Sequence, residues 1–219
     1  MSDAWMPGAT RVQKVIDGGS LKGGAPRAVW LALGADPQLV SARSAAEWLI
    51  RHGRACHLVW NPLTGDLVQL IPLVRAGRLI GWPRDSAMLA TGIVPGVNTE
   101  GRACAQVGVV AYPWMPFTDG PAAGAGEIVD WLDSWHISRR WPAGQPKAFP
   151  RGRDAPRSRN LWARGGHYGA SQVPGDASAG PGAIDIEALT GAVAGLAAGC
   201  PAPGPAARRG SRPAPDTHG

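Results

Sequence analysis

The sequence predicts an α/β fold, a central mixed β-sheet flanked by helices with long Gly/Pro-rich loops, and three observations support it. Short apolar runs of strand length recur along the chain, each stopped by glycine or a turn cluster. Two interior segments repeat their apolar residues at helical spacing. The 31 glycines and 21 prolines, set against only 17% charged residues among 219, leave room for few regular elements and long connections between them.

Residues 27–33 form the first central strand, because the run in PRAVWLAL is short and apolar and is closed by Gly34. Residues 41–52 follow as a helix: Ser41 is a natural N-cap, Ala42, Ala45, Trp48 and Leu49 recur at helical spacing, and Gly53 can end it. Two alternating segments, residues 57–60 and 67–71, flank the turn signal NPLTGD and predict a β-hairpin. Residues 72–100 show no period. Strand character returns at 103–111, and residues 121–136 read as an amphipathic helix with Ile128, Val129, Leu132 and Trp135 on one face. A final helix is expected over 184–198. Beyond Gly199 the Pro/Ala/Gly/Arg composition buries too little apolar surface to fold. The chain thus divides into an N-terminal extension (1–25), one domain (26–198) and a disordered basic tail (199–219).

Ten tryptophans stand against two tyrosines and two phenylalanines. Trp30, Trp48 and Trp131 lie in periodic apolar segments and are expected in the core. Trp114, Trp141 and Trp162 lie in Pro/Gly-rich stretches and are candidates for stacking on sugar rings. The cysteines Cys56, Cys104 and Cys200 are odd in number and lack metal or redox spacing, so Cys56 and Cys104 read as small apolar strand residues. Cys56 and His57 are neighbours on a strand and point to opposite faces, so they make no nucleophile–base pair.

The formal charge of +6 gathers in residues 151–164 and around Arg208, Arg209 and Arg212, which suits an anionic partner such as a cell-wall polymer. No helix-turn-helix, zinc-finger or RNP-like motif is present, and nucleic acid is not the expected partner. The opening MSDAWMPGATR has no secretory pattern, and no run approaches eighteen apolar residues. The expectation is synthesis in the cytoplasm, no membrane insertion, and release to the wall by a route the sequence does not specify.

Four blocks carry a family resemblance: WMPGATR from Trp5, PRAVW from Pro26, HLVWNPLTGDLVQLIP from His57, and GGHYGASQVP from Gly165 followed by PGAID from Pro181. Over roughly residues 5–189 the chain resembles the type 2 N-acetylmuramoyl-L-alanine amidases and peptidoglycan recognition proteins, and among them forms from high-GC Gram-positive bacteria and their phages. The resemblance implies a zinc amidase fold, peptidoglycan or muropeptide as ligand, and a metal held by two histidines and an aspartate or cysteine. The matching positions here hold Leu31, Ala170 and Gly180, and Ser178 stands where many relatives carry an oxyanion-stabilising histidine or lysine.

Zinc takes nitrogen, sulfur or carboxylate donors, three of them plus an open position in a catalytic site. Leucine, alanine and glycine side chains offer none, so no zinc cofactor is expected. Without the metal, water keeps its pKa near 15.7 and supplies no hydroxide at neutral pH. The resemblance therefore implies a catalytically impaired homologue whose groove, bordered by Leu31, His57, His167, Ala170 and Gln172, retains muropeptide binding. Two alternatives stay open. One is an active amidase using a displaced zinc site built from His57 and His167 with Asp36 or Asp176, although no recognised ligand spacing supports it. The other is a non-enzymatic interaction scaffold.

Overall fold

The computed structural model describes residues 2–12, 15–81 and 96–191. The tail from 199, Cys200 and the second half of the helix expected over 184–198 lie outside these residues.

Six strands form one mixed sheet: β1 (Thr10–Arg11), β2 (Arg27–Ala32), β3 (Leu58–Trp60), β4 (Leu67–Gln69), β5 (Cys104–Val109) and β6 (Gly166–Gly169), in the order β1-β4-β3-β5-β2-β6. β3, β5, β2 and β6 run parallel to one another, whereas β3 and β4 pair antiparallel. β2 is buried along nearly its whole length. Ala28 and Trp30 enter one core layer and Val29 and Leu31 the other, so an unbroken apolar run is required where a half-exposed strand would alternate.

Helix α1 (Ala42–Arg51) covers the Val29/Leu31 face with Ala42, Ala45, Ala46 and Leu49. The Ser41 hydroxyl accepts from the Ser44 N–H at 3.1 Å, and Gly53 follows the helix end at φ 64°, as the sequence predicts. Helix α2 (Ala125–Ser134) covers the opposite face with Ile128, Val129 and Leu132. Each such buried aliphatic side chain contributes about 1.5–3 kcal/mol relative to exposure. Two short helices, α3 (Arg159–Trp162) and α4 (Ile186–Thr190), complete the layers; α4 stops at Gly191, which has φ 65°.

The hairpin forms where expected. Gly65, at φ 79°, closes its turn by donating to the Asn61 carbonyl at 2.9 Å. Residues 2–12 are integral to the fold: Met6 is buried, the Asp3 carbonyl accepts from the indoles of Trp131 and Trp135, and Thr10–Arg11 adds the edge strand β1 beside β4. Within GGHYG, Gly166–Gly169 is edge strand β6, although its glycines read as loop residues in the sequence. Trp30 and Trp131 are core as expected, but Trp48 is 49% exposed and stacks on His52 one turn later, at the margin of the α1 apolar stripe. No described helix is long and apolar enough to cross a membrane.

Candidate functional site

The carboxyl ends of parallel strands are where an open α/β sheet forms ligand crevices, because the loops leaving them diverge. Here the loops after β2, β3 and β5 enclose a groove of about 490 Å³, lined among others by Asp36, Gln38, Leu63, Trp114, Phe117 and Asp119. Asn61 ties two of its walls together. Its amide donates to the Pro37 and Val40 carbonyls at 2.9 and 3.1 Å, while its side-chain oxygen accepts from Leu63 N–H. Beneath the groove Phe117 packs on Trp30 and edge-on to Trp60, which fixes the floor. On the rim Tyr112 stacks on Trp114 at 4.6 Å, and Phe149 meets the same indole edgewise. Trp114 keeps 57% of its surface open, so this tryptophan has an aromatic face available to a ligand.

The positions of the family resemblance lie at the neighbouring strand ends, but Leu31, Ala170 and Gln172, expected to border the groove, are buried and do not line it. Trp30 pairs with Gly169 across β2 and β6, which brings Leu31 and Ala170 to the same strand ends. Ser171 N–H donates to the Gly180 carbonyl at 2.7 Å, and a β-carbon on Gly180 would lie 3.7 Å from the Ala32 nitrogen and 3.6 Å from Pro113. Leu31 and Ala170 belong to one apolar cluster. These residues do not fit a zinc ion, since none presents a donor atom. Among the described residues no group of three or more His, Cys, Asp or Glu could hold a metal. Gln172 is engaged in structure: its carbonyl oxygen accepts from Gly169 N–H and its amide donates to the carbonyls of Ala143 and Gly144. Ser178 is partly buried, and its hydroxyl accepts from Gly180 N–H. Arg157 clamps the loop by donating to the Ser171 and Ser178 carbonyls at 2.9 and 3.1 Å.

The two histidines assigned to the groove from sequence do not border it. His57 is fully buried on the α1 side of the sheet. Its Nδ1 accepts from Gln106 N–H at 2.9 Å, so Nε2 carries the proton and donates to the Arg75 carbonyl at 2.8 Å. Burial pushes its pKa down to about 4. His167 lies on the other face, between the rings of Trp30 and Trp141. It accepts at Nδ1 from the Trp30 indole at 3.0 Å, and its buried Nε2 has no hydrogen-bond partner among the described residues. Burial lowers its pKa to about 3. With β5 and β2 between them, these histidines cannot converge on one ion or ligand.

Of the three tryptophans expected to be exposed, only Trp114 is. Trp141 and Trp162 are 8% and 1% exposed, and their indoles donate to Thr190 Oγ1 and Glu100 Oε2, so each fastens a loop to the body. Among the groove residues Asp36, Gln38 and Asp119 carry no sequence motif, and Leu63 lies in the NPLTGD turn, the one signal near them. Comparison with family models, curated proteins and solved structures returned no match.

Proposed function

We propose that this chain is an amidase-like module that binds peptidoglycan fragments without hydrolysing them by the zinc route of the family it resembles. One observation carries the reading. The positions that would hold the metal, Leu31, Ala170 and Gly180, cluster at the carboxyl end of β2 beside an open groove and present only hydrocarbon or hydrogen. A buried apolar triad needs no metal to satisfy it, whereas histidines left there without zinc would be polar groups seeking partners. The adjoining groove has what a saccharide needs: the open face of Trp114 for a pyranose ring, and the carboxylates of Asp36 and Asp119 to accept from hydroxyl or amide groups.

Titration of the tryptophan fluorescence with a soluble disaccharide-peptide muropeptide tests the reading. Saturable quenching or enhancement that is weakened tenfold or more in Trp114→Ala supports it. The same response in wild type and variant would move the ligand away from this groove, and no response at millimolar ligand would remove the binding function.

A further inference from the structure

Between residues 139 and 164 stand seven arginines and Lys147 against a single acid, Asp154, a net +7 in a chain whose whole formal charge is +6. Part of this charge is spent internally. Arg139 pairs with Asp130 and Asp133, Arg159 pairs with Glu100, and Arg157 is turned onto backbone carbonyls. Arg140, Lys147, Arg151, Arg153 and Arg164 remain exposed, and they make no ion pair among the described residues.

The fold aligns these five along one edge of the sheet. The Arg140 carbonyl accepts from His167 N–H, and Arg164 immediately precedes the Gly165-Gly166 start of β6, so both stand at its amino end. The chain then runs along the outer side of β6: a β-carbon on Gly169 would meet Pro146 at 2.9 Å, and the Gly144 carbonyl accepts from Gln172. At the carboxyl end the turn of Arg151–Asp154 packs on residues 170–172 and 179, with a β-carbon on Gly152 only 3.2 Å from that of Ser171. A four-residue strand is about 13 Å long, so the cations form a stripe of roughly that length and a little more.

We infer that this stripe is a docking surface for a phosphodiester polymer without bases, of the poly(glycerol phosphate) kind. Five unpaired cations in a row match regularly spaced phosphates. Of the aromatic rings of the same segment, Trp141 and Trp162 are buried and Phe149 is half-buried with its ring set against Trp114, so no row of open faces stands along the stripe on which successive nucleobases could stack. Arg151 and Arg153 stand on a single helical turn and Arg164 just past the four-residue α3, so the stripe has no helix of the length that enters a DNA major groove. This surface adjoins the groove rim where Phe149 meets Trp114, but its cations lie outside the groove lining and the inference does not depend on the groove's ligand.

The test uses fluorescence anisotropy of end-labelled poly(glycerol phosphate) and of a single-stranded oligonucleotide with the same number of phosphates, titrated with the full chain at several salt concentrations. Five phosphate contacts predict a slope of log K against log salt of about −3.5 for the polyol phosphate. The quadruple variant R140Q/R151Q/R153Q/R164Q, checked for native tryptophan fluorescence, should bind at least tenfold more weakly, with a slope shallower by about 3. The corresponding Arg→Lys variant should retain binding, and R43Q/R51Q on α1 should leave it unchanged. Equal or tighter binding of the oligonucleotide would overturn the assignment of polymer class. Binding that survives the quadruple variant, or no binding of the polyol phosphate at low salt, would overturn the surface itself.

Discussion

Restoring donors at the three hydrocarbon positions tests the geometry of the site in a quantitative way. In Leu31→His/Ala170→His/Gly180→Asp, the first change removes a 93% buried leucine side chain and costs about 2 kcal/mol. The second puts an imidazole where Ala170 is fully buried and costs about 2 kcal/mol in overpacking. The third meets no steric barrier, because the backbone there is not left-handed and a β-carbon on Gly180 meets nothing closer than 3.6 Å, but it buries a carboxylate and costs about 1 kcal/mol or more until a metal binds. The metal-free variant should therefore be about 5 kcal/mol or more less stable than wild type. Zinc at a thousandfold excess over its Kd returns about 4.1 kcal/mol. For a chain of this size that is a zinc-dependent rise in Tm of roughly 8–16 °C. Differential scanning calorimetry with and without zinc, with elemental mass spectrometry of the dialysed protein, reads both quantities. A folded triple variant that takes up no zinc and shows no shift would refute the convergence of these positions on one metal site.

Three further outcomes follow from the buried groups. His57 and His167 are held neutral, with pKa lowered to about 4 and about 3, so the unfolded chain binds more protons than the folded one below pH 6.5. Stability should therefore fall as the pH drops, by about 2 kcal/mol for the pair between pH 6.5 and 5.5; urea unfolding that is flat across that window would contradict it. Arg157→Ala removes both carbonyl contacts of the clamp and should cost about 1.5–3 kcal/mol, with faster amide hydrogen exchange confined to residues 170–180; unchanged exchange there would mean the clamp does not hold the loop. Burial pushes the Cys56 and Cys104 thiols up to about 12, so neither should react with a disulfide reagent at pH 8 until the chain is unfolded, and rapid titration of either in the native protein would place it at the surface.

Elements whose determinants are local could be read from the chain. Helix α1 has its cap, stripe and stop within thirteen residues, and the hairpin has Asn61 and Gly65 inside its own turn. What depends on distant partners could not. The glycines of GGHYG look like loop flexibility, yet they serve close approach: a β-carbon on Gly166 would fall 2.5 Å from the Arg140 carbonyl and one on Gly169 2.6 Å from Pro181. Residues 2–12 join the fold through contacts with Gln69, Leu73 and Trp131, which no local pattern announces. Trp141 and Trp162 sit among prolines and glycines, and distant partners make them interior residues: Thr190 and His167 for the first, Glu100, Tyr168 and the Arg27 guanidinium for the second. The histidines were misassigned for a related reason. Strand parity separates His57 from His167 across the sheet once His167 is known to be in a strand.

The central claim, binding without hydrolysis, is tested most directly by incubating the full chain with purified insoluble peptidoglycan, measuring the bound fraction by sedimentation and the newly released amino groups of L-alanine in the same tube. The account predicts saturable sedimentation, reduced in Trp114→Ala, with no amino groups released above the protein-free control, whether or not zinc is added. Release of L-alanine amino groups, or failure of the chain to sediment with the polymer, would contradict it.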